Sequence, residues 1–419
     1  MQLLLDKLAN NKEENERVFH KETYVLRNDL YFRFYEHRGN RWFVDISYKP
    51  KQTPSGDTYS IRKIGENKIL ILLIDAMGKG LTASITSILS SAFINDYVDR
   101  AGESFDLLEC IQTYHKYISK LIFEEEVVSC SFVLFDFDRQ EALSALFGMP
   151  PILLCDEEEK VTKLRSNNAP LTRFTDHIDL QKTPIEHIYK ILLYTDGLNE
   201  TIIDDRYMYR YYLDQDFLKA PNYKHFFQEV LRRTNHFDDD MTFIFLERER
   251  CNHCQIKLIS IPTRHAELDN AMKEVELFLT KHGMDTKNRA YMMQAFSELL
   301  FNAYEHGNLG IDHQTKRRLL EEAKFDAFIE EKERKYGEKK IKILLHVKDE
   351  PHLKTFKIDM QDEGAGFDTA LMRNRIVKKE QFNGRGLLMV SRLADAYYYN
   401  TKGNRVILKK FKYKELKNG

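Results

Sequence analysis

The stretch Lys68-Ile69-Leu70-Ile71-Leu72-Leu73-Ile74-Asp75-Ala76-Met77-Gly78-Lys79-Gly80 runs from an unbroken apolar segment into an acidic residue and a glycine turn. The apolar segment is far shorter than the ~20 residues of a membrane span, and it reads as a strand ending at Asp75. Beyond the turn, apolar residues recur every three or four positions from Gly80 to Tyr97 and again from Phe105 to Phe123, which predicts two helices. Similar short runs, Ser131 to Phe137, Ile152 to Cys155, Ile191 to Tyr194 and Thr242 to Leu246, lie between Gly, Pro and Asp and read as further strands. Strands framing paired helices predict a layered α/β fold. Upstream, Leu3, Leu4, Leu8 and Val18 at helical spacing give residues 1–44 the look of a helical lead-in, with an aromatic stretch from Tyr31 to Tyr35.

Downstream of Glu247 the composition turns polar, Glu-Arg-Glu-Arg-Cys-Asn-His-Cys, with no apolar periodicity. A boundary belongs there: one domain over 45–248, a linker over 249–255 and a second domain over 256–419. The second domain reads strand (Ile256 to Ile261), helix (Ala266 to His282), helix (Thr286 to His306), strands near Ile341 to Val347 and Phe356 to Met360, then a closing helix and strand. A charged segment at about 312–340, with Leu319, Leu320, Phe325 and Phe328 at near-helical spacing, interrupts it as an inserted amphipathic helix.

The bulk numbers set limits. A chain of 419 residues, 42% hydrophobic and 31% charged, has material for two packed cores. Sixty-four basic against sixty-five acidic residues leave a net charge of -1, so no overall field points to nucleic acid or to an anionic membrane. The start carries too short an apolar run for a signal peptide, and no stretch approaches a membrane span. Cys110, Cys130, Cys155, Cys251 and Cys254 are too irregular for a disulfide framework, and a reducing cytoplasm fits them best. The Cys251-Asn-His253-Cys254 pair lacks the further ligands of a zinc site and reads as incidental.

Acidic clusters punctuate the first domain: Ser55-Gly56-Asp57, Asp75-Ala76-Met77-Gly78, Thr195-Asp196-Gly197 and Asp238-Asp239-Asp240-Met241-Thr242. One Asp-Gly after a strand is ordinarily a turn. Several in series, at strand ends that hold a carboxylate rigidly toward solvent, form an oxygen-rich site for Mg2+ or Mn2+. Two such ions acidify water for in-line attack on a phosphoryl group, with no covalent protein intermediate. Lys79 opens a helix in a Gly-Lys-Gly turn and reads as solvated.

This order and spacing resembles the stage-II sporulation E-like branch of the PPM (PP2C-type) serine/threonine phosphatases, over about residues 45 to 248. The resemblance implies a PP2C-like αββα sandwich with Asp57 and Asp75 bridging two Mn2+ or Mg2+ ions. It further implies the Ala76 carbonyl as a ligand, Asp196 and Asp239 completing the second site, and Asp240 and Thr242 in support. Ser55 stands where that family usually has a first Gly, and no phosphate-binding Arg is apparent, which leaves substrate recognition to protein surfaces.

In the second domain Glu298 and Asn302 lie four residues apart and project from one helix face. Asn302-Ala303-Tyr304-Glu305-His306-Gly307 follows, then Asp362-Glu363-Gly364-Ala365-Gly366-Phe367 and Asn383-Gly384-Arg385-Gly386-Leu387-Leu388. A carboxylate can accept from an adenine amino group, and a glycine turn opening a helix offers free amides to phosphate. This ordered trio resembles the GHKL ATPase/kinase superfamily, with its Bergerat α/β sandwich, over about 256 to 412. The resemblance implies ATP with Mg2+ as cofactor, Glu298 as general base and Asn302 on the ion. It implies His306, Asp362, Gly364, Gly366, Gly384, Arg385, Gly386 and Leu387 around the nucleotide.

The short span between the last two motifs is most similar to the anti-sigma-factor serine kinases. Sensor histidine kinases are the rival, but His265 and His282 sit in a helix that the serine kinases also have. Gly403-Asn404-Arg405 replaces the Gly-Thr of many relatives, which implies an altered nucleotide affinity. Together the resemblances imply a partner-switching regulator acting on a STAS-type anti-sigma-factor antagonist, phosphorylated by one half and dephosphorylated by the other. They also imply a homodimer through the second domain or the lead-in, and a lead-in that controls the phosphatase. The alternative is an active phosphatase whose second domain senses ATP or sequesters a sigma factor without kinase turnover.

Overall fold

The structure is a computed structural model that describes residues 33–51, 55–78, 81–203, 207–234, 237, 239–250, 254–367 and 385–414. Residues 1–32 of the expected lead-in helix, Lys79, Gly80, Asp238, Cys251, His253, Asn383 and Gly384 lie outside the described residues, as does the side chain of Arg385. The chain divides into two compact units, with Glu249 in the first and Arg250 in the second, and residues 33–35 group with the second.

The end of the expected lead-in is corrected at once. Residues 33–37 form a strand, β1 (Arg33–His37), rather than helix. Phe34 and Tyr35 are buried, and consecutive aromatics favour a pleated, half-buried surface over a helix.

In the first unit the strands are β2 (Asn40–Lys49), β3 (Asp57–Ile64), β4 (Lys68–Ala76), β5 (Val128–Asp136), β6 (Glu141–Phe147), β7 (Ile152–Asp156), β8 (Val161–Leu164), β9 (Gln181–Pro184), β10 (Ile188–Tyr194), a small hairpin of β11 (Ile202–Ile203) and β12 (Tyr207–Met208), and β13 (Met241–Arg248). One sheet runs β3-β4-β5-β6-β9, and the other runs β2-β13-β10-β7-β8. Their facing sides meet: Tyr48 on β2 lies against Tyr59 on β3, ring centroids 6.3 Å apart. Every residue from Ile69 to Ile74 is buried, as the unbroken apolar run requires of a strand covered on both faces.

Helices α1 (Leu81–Ala101) and α2 (Leu107–Ile118) cover the first sheet, packing Ile94, Val98, Ile111 and Tyr114 onto Leu70, Leu72 and Ile74. Toward β3, α1 presents Ser84, Ser87 and Ser91 instead of bulky side chains, so the Ser87 hydroxyl reaches the Gly56 carbonyl. The second sheet is covered by α3 (Arg210–Lys219) and α4 (Tyr223–Arg233), giving an αββα sandwich. Helix α3 buries only Leu213, Asp216 and Phe217, too sparse a set to show a period, whereas α4 packs Tyr223, Phe226, Phe227 and Val230 at regular helical spacing.

A buried cation fixes α3 to its sheet. Lys190 on β10 is 1% exposed. Its ammonium donates to the carbonyls of Phe217, Leu218 and Ala220, each at 2.9 Å, and so closes the helix C-terminus where cations are favoured.

In the second unit the order is β14 (Cys254–Pro262), α5 (His265–Lys281), α6 (Thr286–Asn302), α7 (His313–Glu321), α8 (Phe325–Tyr336), β15 (Lys340–Asp349), β16 (Leu353–Gln361), α9 (Arg385–Leu393), β17 (Ala396–Tyr399) and β18 (Arg405–Tyr413). The sheet runs β14-β15-β16-β18-β17, with Arg33 of β1 parallel beside Tyr399. Helices and sheet enclose one core that includes Leu268, Phe296, Leu300, Ile343, Ile358 and Leu408. Helix α6 does not continue unchanged to His306, for after Asn302 the chain widens into a π turn, Ala303–Asn308. The charged insert is two helices rather than one, broken near Ala323, whose φ of 54° no helix accommodates. Among the described residues no helix is long and apolar enough to cross a membrane.

Replacing Lys190 by Met should cost about 2–4 kcal/mol, since three buried carbonyls lose their donor together. Urea unfolding of the full chain checks this, and a loss confined to the first transition is expected.

Candidate functional site

At one end of the sandwich the two sheets converge on carboxylates. Asp57 opens β3 directly opposite Asp75 at the end of β4. Asp57 is 2% exposed, so the expectation that each strand-end carboxylate faces solvent fails for this one. It is buried but partnered: Thr195 Oγ1 and Thr242 Oγ1 donate to its Oδ2 at 2.8 and 2.7 Å. Asp75 is half-buried and Asp196 exposed, so the site opens to solvent on the Asp196 side.

The turns behind these groups are pinned by Asp240. Its Oδ2 accepts from Ser55 Oγ at 2.8 Å and the Gly56 amide at 2.9 Å, and its Oδ1 accepts from the Lys51 amide. Ser55, the departure from the usual glycine, thus has work of its own, for its Oγ also accepts from the Asp57 amide at 3.0 Å. Gly197 lies so close to this loop that a Cβ there would stand 1.9 Å from the Asp240 carbonyl oxygen, which excludes any other residue. The Ala76 amide donates to Gly56 at 3.3 Å, which sets the Ala76 carbonyl beside the same turn.

Electrostatics mark the cluster. Burial, then the charge of Asp75, pushes Asp57 well above the usual carboxylate range, against the pull of its threonine donors. Burial pushes Asp75 up to about 8, and the charges of Asp196 and Asp239 add to it. Asp196 is raised by burial, then by Glu200 and Asp239, and shares a hydrogen bond with Asp75. Among the described residues no three His, Cys, Asp or Glu groups converge tightly enough to clamp a single ion. Asp75 instead stands between Asp57, across the strand pair, and Asp196, with which it shares a hydrogen bond, and feels the charge of Asp239. Small hard cations that keep much of their water and take one or two carboxylates each suit such a set, and positive charge there relieves the repulsion.

The second unit gathers its motifs equally closely. Glu298 on α6 meets the start of α9, where a Cβ on Gly386 would lie 1.7 Å from Glu298 Oε1. A Cβ on Gly307 would come within 2.7 Å of the Asp362 carboxylate, so the π turn and the Asp362 loop touch with only hydrogen between them. Tyr399 feels Asp362 and Glu298 together, their charges adding to burial and Tyr397 in holding its hydroxyl protonated. Burial raises Asp362 to about 6, although the Gly364 amide donates to its Oδ1 at 2.8 Å. His306 Nδ1 is engaged with the Ile311 carbonyl at 2.5 Å, so that nitrogen carries the proton. Leu387 is half-buried on α9.

Some positioning residues had no motif to reveal them. Asn308, 1% exposed, accepts from the Glu363 amide at 2.7 Å and donates to Thr263 Oγ1 at 2.7 Å. It thereby ties the π turn to the residue after Asp362. Asn404 donates to the Asp362 carbonyl at 3.2 Å and accepts, through its own carbonyl, from the Asp362 amide at 3.0 Å. The replacement of Gly-Thr by Gly403-Asn404 thus supplies a clamp on the acidic loop. His265 opens α5 and His282 closes it, at opposite ends of one helix.

With both sites described, the likeness to known proteins is direct. Residues 65–249 match the family Stage II sporulation protein E (SpoIIE), and residues 261–410 match the Histidine kinase-like ATPase domain. The chain is a SpoIIE-type domain fused to a histidine kinase-like ATPase domain. The chain is similar to phosphoserine phosphatase RsbP of Bacillus subtilis (strain 168), 22% identical over 161 residues, 37% of this chain and 39% of RsbP. The chain therefore spans about two-fifths of the length of that relative. Both domains align with the crystal structure of the RsbU and RsbW domains of Rv1364c from Mycobacterium tuberculosis, at 15% identity, covering 88% of this chain and 92% of that one, with a TM-score of 0.46. The PP2C phosphatase domain of SpoIIE from Bacillus subtilis aligns at 17% identity, covering 51% of this chain and 64% of that one, with a TM-score of 0.44.

Within the SpoIIE-type domain, Thr242→Val removes one of the two hydroxyls that donate to Asp57 and favour its ionised form. Affinity for a divalent cation should fall roughly ten- to a hundredfold. Isothermal titration of the variant checks this, with the melting temperature expected to stay near that of the wild type.

Proposed function

We propose that this chain is a bifunctional regulator of bacterial partner switching. Its first domain is a metal-dependent protein serine/threonine phosphatase, and its second is an ATP-dependent serine kinase acting on a STAS-type anti-sigma-factor antagonist. The observation that carries the reading is the meeting of Asp57, Asp75, Asp196 and Asp239 on one open-sided site, with carboxylates raised by burial and mutual repulsion. The match to the SpoIIE family and the likeness to RsbP, a phosphoserine phosphatase by name, support it.

Asp57, Asp75, the Ala76 carbonyl, Asp196 and Asp239 would together hold two Mn2+ or Mg2+ ions. Bound there, the ions supply Lewis acidity, lowering the pKa of water and neutralising phosphoryl charge. Thr195 and Thr242 aim Asp57 and favour its ionised form, and Asp240 keeps the turn carrying it in register. The exposed side at Asp196 admits a phosphoserine presented by a folded protein.

In the second domain Asp362 would accept from the adenine amino group, Asn302 would hold Mg2+, and the Gly386 start of α9 would receive phosphate oxygens. Glu298, beside that helix start, would take the proton from the attacking serine hydroxyl.

Two assays test the reading. With Mn2+ or Mg2+, the full chain should release phosphate from a phosphoserine-bearing STAS protein, and Asp75→Asn should lower the rate at least about a hundredfold while leaving ATP binding intact. No release with either ion overturns the phosphatase. With labelled ATP, Glu298→Ala should bind nucleotide but transfer nothing. ATP binding by the wild type without transfer would instead favour the ATP-sensing or sequestering alternative.

ATP affinity should also follow the Asp362 proton. The carboxylate accepts from adenine more strongly than the neutral acid, so affinity should be flat at neutral pH and decline as pH falls through about 6. Nucleotide titrations from pH 5 to 8 check this, and Asp362→Asn should abolish the dependence.

A further inference from the structure

The charged insert carries more than a solvated face, and its role rests on the nucleotide reading of the second domain. Along α8, Phe325, Phe328, Ile329 and Tyr336 pack on the core of the domain. The helix is thereby fixed, and with it Glu333. One oxygen of Glu333 accepts from the Tyr304 hydroxyl at 2.6 Å and from the His265 backbone amide at 2.5 Å. His265 begins α5, and Arg264 before it offers no side-chain cap. A carboxylate from another element therefore stands at the positive end of that helix, where it both fills an orphan donor and opposes the dipole.

The second contact comes from α7. Lys316 pairs with Glu305 at 2.5 Å, and Glu305 is 8% exposed. The same ammonium lies 5.5 Å over the Phe325 ring, which ties α7 to α8. Tyr304 and Glu305 are consecutive residues of the π turn, and that turn follows Asn302 directly. A π turn has poorer internal hydrogen bonding than the helix it extends, and it holds its shape only where outside groups fix it. Asn308 ties the end of the turn to Thr263 and Glu363, and the two outside groups that hold its first half, Glu333 and Lys316, both come from the insert.

We propose that the insert is a strut for the nucleotide site, in which Glu333 and Lys316 position Asn302 for its Mg2+ by anchoring Tyr304 and Glu305. Neither residue touches nucleotide, so both are positioning residues. Their removal would act on the part of ATP affinity that depends on Mg2+, and a brace of general stability would act on the melting temperature alone.

The test uses the full chain, with Glu333→Ala, Glu333→Gln and Lys316→Ala, titrated with a fluorescent ATP analogue with and without Mg2+. In Glu333→Ala the Kd with Mg2+ should rise about tenfold, as for lost partners of ligand side chains, while the Kd without Mg2+ stays within about twofold. Glu333→Gln keeps an acceptor oxygen and should recover most of the affinity. Lys316→Ala should show the same selective loss, and it decides the matter if Glu333→Ala does not fold. Phosphate release by the first domain should be unchanged in all three. A lowered melting temperature with Mg2+-dependent affinity intact overturns the strut and leaves the nucleotide reading standing. Absence of nucleotide binding by the wild type overturns that reading, and the strut with it.

Discussion

Asp57 is a buried carboxylate held between two sheets by hydroxyls from β10's end and β13. Burying such a group alone is costly, and it stays charged only where donors or cations surround it. Thr195 and Thr242 supply part of what it needs, and they do so only if the β10–β13 sheet packs in register over β3. The sandwich and the site are therefore one construction: shifting either strand by one residue would turn its threonine away. The serine-lined face of α1, the Asp240 loop and the close approach at Gly197 all serve to hold the Asp57 turn against that pair.

The second domain meets the same demand differently. Its functional groups sit on a helix end, a loop and a glycine turn, none of them rigid alone. Asparagines do the tying: Asn308 joins the π turn to the residue after Asp362, and Asn404 clamps Asp362 through both of its backbone groups. An amide side chain that donates and accepts at once suits such a junction, because one residue can satisfy backbone groups from two segments.

Much of this was legible residue by residue. The run from Ile69 to Ile74 announced a doubly buried strand, and the paired apolar periods announced α1 and α2, since such patterns follow from burial geometry alone. Local pattern misled where tertiary demand overrode it. Residues 33–37 looked like the tail of a helix and are a strand. Helix α3 packs through a few residues and a buried Lys190 rather than through a continuous stripe. The insert, read as one amphipathic helix, broke into two, and its charges include Lys316 and Glu333 turned inward onto Glu305 and Tyr304.

By itself the sequence determined the strongly periodic elements, where the acidic and glycine motifs lie, and that Glu298 and Asn302 share a helix face. All of these are consequences of periods and spacings within a few residues. Only the tertiary structure decided that Thr195 and Thr242, 138 and 185 residues from Asp57, aim their hydroxyls at it. Only it decided that Asp57 is sealed while Asp196 stays open. Such pairings depend on how strands stack in three dimensions, and a hydroxyl at a strand end carries no local mark of the carboxylate it will meet.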